Sequence, residues 1–187
     1  MEILNKKEKN DNIKIGEESY VIKAKKKSTK NVDIFTPLIT TENIILPFNA
    51  VGKNIQETIL KILKRKFEGR CMKHGYVAIN SIKIITISSG IIIKDQIKHC
   101  VSFQCHVCFP VENMVIDCTV KNITKAGIRA EISKYEKSPM VIFVARDHNY
   151  NNDDFNNVEE GGIIKVKIIG QRFELNDEYI SVIAEMI

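Results

Sequence analysis

The sequence predicts an α+β fold: one helix on antiparallel strands, followed by a five-stranded OB-type β-barrel. Three observations predict it. Apolar residues recur at every second position through most of the chain after Tyr76, the period of strands with one buried face. A single stretch, Ile55 to Phe67, carries its apolar residues at helical spacing instead. A long alternating run from Met114 to Lys121 is followed by a polar turn, Gly127 and a second alternating run. That is how a small OB-type barrel begins.

Residues 1–32 are polar and lysine-rich, and only Ile13, Ile15, Tyr20, Val21 and Ile22 have the character to pack. The basic run Lys23 to Lys30 reads either as a nucleic-acid arm or nuclear address, or as a solvated, partly disordered extension. From Asp33 the pattern changes. Ile34, Phe35, Leu38 and Ile39, then Ile44-Ile45-Leu46-Pro47, predict a short strand and a turn. Asn54 and Glu57 have capping-box spacing. Ile55, Ile59, Ile62, Leu63 and Phe67 form the apolar stripe of the helix, Lys61, Lys64 and Arg65 its basic face, and Gly69 its stop. Tyr76 to Ile87 reads as a strand, Gly90 as a turn and Ile91 to Ile93 as another strand. Val101, Phe103, Cys105, Val107 and Phe109 alternate with polar neighbours until Pro110 interrupts them, which places a domain boundary between 110 and 111.

In the second half, Ile116, Cys118 and Val120 give the first barrel strand, and Ile128, Ala130 and Ile132 the second. Met140 to Ala145 gives the third. Arg146 to Gly162 is a long polar loop. Ile164, Val166 and Ile168 alternate with Lys165 and Lys167 in the fourth strand, Asn176-Asp177 turns the chain, and Ile180, Val182, Ala184 and Met186 make the fifth.

The 187 residues are 44% hydrophobic and 27% charged, enough apolar material for one large domain or two small ones. A formal net charge of +5 favours polyanion partners. No apolar run reaches the roughly 20 residues that span a bilayer, so no membrane partner is expected. The charged N-terminus excludes a secretory signal. Five cysteines without such a signal point to free thiols in a reducing, intracellular compartment.

The sequence contains no phosphate loop, no Gly-x-Ser-x-Gly elbow and no His-Glu-x-x-His motif. Cys105-His106-Val107-Cys108, near His99 and Cys100, has a metal-ligand flavour, but no second pair stands at comparable spacing. Strand alternation also puts Cys105 and Cys108 on opposite faces. The expectation is small buried thiols, with no metal and no cofactor. Asp147-His148 and Asp153-Asp154 are read as loop polarity. Cations on outward strand positions and barrel loops form a more diffuse signal: Lys121, Lys125, Arg129, Arg146, Lys165, Lys167 and Arg172, with Phe143 and Tyr150 among them. Basic groups follow a phosphate backbone and aromatic rings stack on bases, so these are the candidate single-strand RNA contacts.

Several strings carry a resemblance. They are Phe67-Glu68-Gly69-Arg70-Cys71 followed by Gly75-Tyr76-Val77, Phe109-Pro110 leading into Val115-Ile116-Asp117, Asn122 to Glu131, and Ile168-Ile169-Gly170-Gln171-Arg172. In this order the chain from about residue 33 to 187 resembles the seventh-subunit, or stalk-subunit, family of multisubunit DNA-dependent RNA polymerases. The wording is closest to versions from large cytoplasmic DNA viruses. The resemblance implies a docking tip domain at 33–110 and an RNA-binding OB domain at 111–187, with no active site of its own. It assigns docking on the polymerase core to Phe67, Glu68, Gly69, Gly75 and Tyr76. It implies core subunits, a fourth-subunit-like stalk partner and nascent single-stranded RNA as partners. The compartment would be a virion or cytoplasmic viral factory for a viral chain, otherwise the nucleus. Residues 1–32 have no counterpart in the short cellular versions, and Ile128-Arg129 after Gly127 replaces a pair that is usually apolar or aromatic in the family's RNA-binding barrels, which argues against base stacking at this spot and for phosphate contact by Arg129. Two other readings stay open on sequence alone: a free-standing OB-fold RNA-binding protein of translation or RNA decay, and a metal-dependent enzyme built on Cys105, Cys108 and the His148 loop.

Overall fold

The computed structural model describes residues 33–52, 54–149 and 153–187. The basic extension 1–32 and Tyr150 lie outside the described residues. Strand β1 (Phe35–Pro47) leads through a single 3-10 turn to helix α1 (Ile55–Phe67). Four short strands follow, β2 (Cys71–Met72), β3 (Gly75–Val77), β4 (Lys83–Ile87) and β5 (Ile91–Ile93), and then the 13-residue β6 (Gln96–Cys108). β6 is the spine of this first sheet. β1 runs antiparallel along one edge, from Phe35 opposite Cys108 to Pro47 opposite Gln96. β5, β4 and β3 share the other edge in succession.

The inward positions of β6 explain why α1 sits where it does. Val101, Phe103, Cys105 and Val107 are all buried on one face of the strand, and Ile59, Leu63 and Phe67 pack against them from the helix. Phe67 stacks on Phe103 with ring centroids 5.8 Å apart. Each such side chain contributes on the order of 1.5–3 kcal/mol on burial, which outweighs the weak intrinsic preference of this β-branched-rich helix.

Several expectations need correction here. The strand at 34–47 is not short: the polar stretch Thr40 to Asn43 stays extended because every residue is paired with β6. Thr41 Oγ1 also meets Ser102 Oγ at 3.0 Å, and Lys66 pairs with Glu42 at 3.6 Å. Asn54 caps α1 by position, but its side chain makes no capping hydrogen bond, so the capping box is not formed. Its carbonyl instead accepts from Thr58 N and Thr58 Oγ1. The single strand expected at 76–87 is two strands, broken at Asn80 (φ +57°), where the Ser81 hydroxyl donates to the Ala78 carbonyl at 2.7 Å. The helix does stop at Gly69, with φ +73°.

The second half closes into a barrel of β7 (Val115–Ile123), β8 (Gly127–Glu131), β9 (Met140–Ala145), β10 (Ile163–Arg172) and β11 (Ile180–Met186), in the order β10-β11-β9-β8-β7. β9 and β11 run parallel, and all other neighbours are antiparallel. This five-stranded closure is consistent with the OB type. Alternation delivers Ile116, Cys118, Val120, Ile128, Ala130 and their counterparts to the interior, where they form one buried cluster. The long loop after β9 is not wholly irregular among its described residues. It contains a 3-10 turn (Arg146–His148) and the one-turn helix α2 (Asp153–Asn156), anchored by the buried ring of Phe155.

The first sheet and the barrel share buried residues. Ile34, Cys71, Tyr76 and Cys108 belong to the barrel's cluster. Cys71 exchanges backbone hydrogen bonds with the β10–β11 connection, its N–H to Asp177 O and its carbonyl from Asn176 N, both 2.8 Å. Phe35 meets Tyr135 edge-on at 5.0 Å, and the Tyr135 hydroxyl donates to Asp33 at 3.1 Å.

Candidate nucleic-acid interface

Residues directly opposite on paired antiparallel strands share a face, with Cβ atoms about 4.5–5.5 Å apart. On the barrel exterior this builds one row. Asn122 of β7 faces Arg129 of β8, Arg129 faces Phe143 of β9, and Phe143 aligns with Ile183 of β11. Arg129 and Phe143 are both exposed. A cation therefore stands beside an open aromatic ring on the second and third barrel strands, the pair of strands with which OB folds most often hold oligonucleotides.

The turn joining β7 to β8 lies next to this row. Thr124 closes it, with N–H and hydroxyl both donating to the Gly127 carbonyl at 2.9 Å. Gly127 is required by close approach: a Cβ there would collide with the Val144 carbonyl oxygen and lie 3.0 Å from the Phe143 ring. The glycine thus allows β8 to pass flush against β9 and leaves the Phe143 ring open. Lys121, near the end of β7, and Lys125, within the turn, are exposed and enter no ion pair among the described residues.

The remaining candidates are distributed elsewhere. In the ring, β10 is separated from β8 by β7 and from β9 by β11, so Lys165 and Lys167 lie across the barrel from Arg129 and Phe143. Each is matched by a carboxylate on a neighbouring strand, Lys165 by Asp117 at 4.0 Å and Lys167 by Glu185. Arg172 stands past the start of β7, away from the β7–β8 turn, and pairs with Glu174 at 3.3 Å. Arg129 also has a carboxylate neighbour, Glu131 at 3.1 Å, in a pair that is half open to solvent. Exposed pairs of this kind contribute only about 0–1 kcal/mol, so a phosphate can displace them. Arg146 is half-buried and held by protein groups. The candidate set is therefore not one stripe: Lys121, Lys125, Arg129, Phe143 and Arg146 are brought together, and Lys165, Lys167 and Arg172 are not.

The residues expected to dock are mostly interior. Phe67, Gly69, Gly75 and Tyr76 are buried, and Glu68 is half-buried with its carboxylate accepting from Ile82 N at 3.3 Å. They shape the β2–β3 hairpin, whose turn presents exposed Lys73 and His74. Nothing in the sequence pattern set those two residues apart from ordinary loop polarity. A cleft of about 530 Å³ opens between the first sheet and the barrel, lined by Phe35, Tyr76, His106 and Tyr135 among others.

Cys71, Cys105, Cys108 and Cys118 are buried as expected, whereas Cys100 is exposed. Cys105 packs with α1 and Cys108 with the barrel, on opposite faces of β6. Burial pushes the Cys105 thiol up to about 11 and Cys108 and Cys118 up to about 12. No group of three His, Cys, Asp or Glu side chains converges among the described residues. Among them, too, no helix is long and apolar enough to cross a membrane.

No family model matches the chain. Three relatives do. A protein of Acanthamoeba polyphaga mimivirus, provisionally described as a DNA-directed RNA polymerase subunit, is 31% identical over 160 residues, covering 76% of this chain and 76% of its own length. DNA-directed RNA polymerase II subunit 7 of Arabidopsis thaliana is 27% identical over 159 residues, covering 75% of this chain and 86% of its own. DNA-directed RNA polymerase II subunit RPB7 of Glycine max is 24% identical over 162 residues, covering 77% and 88%.

Proposed function

Because the chain belongs to the seventh-subunit family of DNA-directed RNA polymerases, we propose that it is a non-catalytic stalk subunit that docks on the polymerase core and meets nascent single-stranded RNA during transcription. The reading divides the work at residue 110. The helix-bearing sheet docks and the barrel receives RNA. Docking is assigned to what the buried Phe67 to Tyr76 framework holds outward, chiefly Lys73 and His74. The cleft between sheet and barrel is the place assigned to a fourth-subunit-like partner. The compartment follows the polymerase, a cytoplasmic factory or virion in a viral setting and the nucleus in a cellular one.

The observation that carries the RNA half is the outward pairing of Arg129 with Phe143, with the exposed Lys121 and Lys125 at the adjoining end of the hairpin. The ring offers a stacking surface, and the cations offer phosphate contacts that release counterions. Lys165, Lys167 and Arg172 take no direct part in this reading.

The test is a salt titration of full-chain binding to fluorescein-labelled oligouridylate, followed by anisotropy. Replacing Lys121 and Arg129 together by Ser lowers the log–log salt slope by about 1.4, two phosphates at about 0.7 each. Replacing Lys165 and Lys167 by Ser leaves the slope unchanged. Phe143→Ala weakens binding by about 1–3 kcal/mol at unchanged slope. Identical slopes for wild type and the Lys121/Arg129 variant would refute the assignment.

A further inference from the structure

Resting on that RNA surface, we propose that Arg146 is a positioning residue that orders the β7–β8 turn, and not itself a phosphate contact. Its sequence setting, a cation directly after β9, is what a contact residue would also show. Its surroundings differ. The Nε–H donates to the Lys125 carbonyl at 3.1 Å, and Nη1 donates to Asn156 Oδ1 at 3.1 Å. The guanidinium lies over the Phe155 ring, 5.0 Å from its centroid, and Phe155 is buried. The backbone N–H of Arg146 donates to the Ala126 carbonyl at 3.0 Å. One residue thus grips two successive carbonyls of the turn and ties them to α2.

The turn's own bonds, from Thr124 to Gly127, close it on itself and do not fix it against the loop after β9. Arg146 supplies that restraint at the tip of the turn, while at its base the Glu160 carboxylate accepts from Ile123 N at 3.3 Å. Only arginine can do so. Its planar fork donates in two fixed directions while its face lies on a ring, and a lysine ammonium has neither the fork nor the flat face. The carbonyl it holds belongs to Lys125, which is exposed at the turn of the same hairpin that carries Arg129. Holding that backbone before RNA arrives removes ordering entropy that binding would otherwise have to overcome.

The test again uses the full chain and labelled oligouridylate, with thermal melts confirming that each variant folds. Arg146→Lys keeps the charge but loses the fork. It should weaken binding about 3- to 10-fold, the worth of one or two hydrogen bonds, at an unchanged salt slope. Asn156→Ala changes no charge at an exposed position and should weaken binding in the same direction, about 2-fold. On a Lys125→Ser background, Arg146→Lys should add little, because the two act through one element. If Arg146→Lys binds like wild type, Asn156→Ala is silent, and Arg146→Gln lowers the slope by about 0.7, then Arg146 contacts phosphate directly and the inference is overturned. If wild type itself fails to bind oligouridylate, the RNA surface is refuted and the inference falls with it.

Discussion

Gly75→Ala tests how closely β3 packs on β6 at the end of the first sheet that shares its core with the barrel. Gly75 has φ +117°, and a Cβ built on it would overlap the Cys108 carbonyl oxygen and lie 3.3 Å from the Phe109 Cβ. Two costs add. Holding an L-residue in this region costs on the order of 1–2 kcal/mol. Relieving a clash with backbone, which cannot swing aside as a side-chain tip can, costs roughly 1–3 kcal/mol more. Gly161 separates the two. It has φ +85° with nothing within 4 Å of its Cβ position, so Gly161→Ala registers strain alone. Urea unfolding of the full chain is expected to show a loss of about 2–5 kcal/mol for Gly75→Ala and about 1 kcal/mol for Gly161→Ala. The β2–β3 hairpin would move, and with it the Cys71–Asp177 bond and the presentation of Lys73 and His74. A Gly75→Ala loss no greater than that of Gly161→Ala would refute the close packing of β3 on β6.

Two further predictions concern buried groups. The thiols of Cys71 and Cys105 are pushed up to about 11, and those of Cys108 and Cys118 to about 12, from a usual value of 9.0, chiefly by burial. The unfolded chain ionises first, so their contribution is fully present below pH 9 and is lost as pH rises toward 12. Under reducing conditions, stability should fall between pH 9 and 10 by on the order of 1 kcal/mol per thiol, and a variant with Cys105 and Cys118 replaced by Ala should fall less. An equal fall in the two proteins would refute the assignment. Tyr76 is 1% exposed and its hydroxyl has no hydrogen-bond partner among the described residues. Tyr76→Phe should therefore be neutral or stabilising by about 1 kcal/mol in urea melts, and a loss above about 1 kcal/mol would show a partner for that hydroxyl.

The barrel was legible in the sequence because its signal is local. Ile116, Cys118 and Val120, or Ile180, Val182 and Ala184, reveal their buried face by alternation alone. The parallel pairing of β9 with β11 leaves no such trace, since register between distant strands depends on closure of the whole ring. The same limit explains the cations. Alternation shows that Arg129 and Lys165 both point outward, but not that they lie on opposite sides of a five-membered ring. Nor does it show that Asp117 and Glu185 will neutralise Lys165 and Lys167 across strands. The strand at 34–47 reads as short because Thr40 to Asn43 are polar, and composition cannot see the 13-residue partner holding them extended. The string from Phe67 to Tyr76 stood out because its glycines and aromatics answer strict packing demands. Those demands are internal, and the exposed residues of that hairpin, Lys73 and His74, carry no comparable signature.

Membership in the seventh-subunit family makes one measurement decisive. The tagged full chain would be purified gently from its native source, and the co-purifying proteins identified and quantified. The account predicts the large RNA polymerase subunits at near-equal stoichiometry, with recovery reduced when Lys73 and His74 are both replaced by Asp. Recovery of the chain without any polymerase subunit, from extracts in which the assembled polymerase is present, would contradict it.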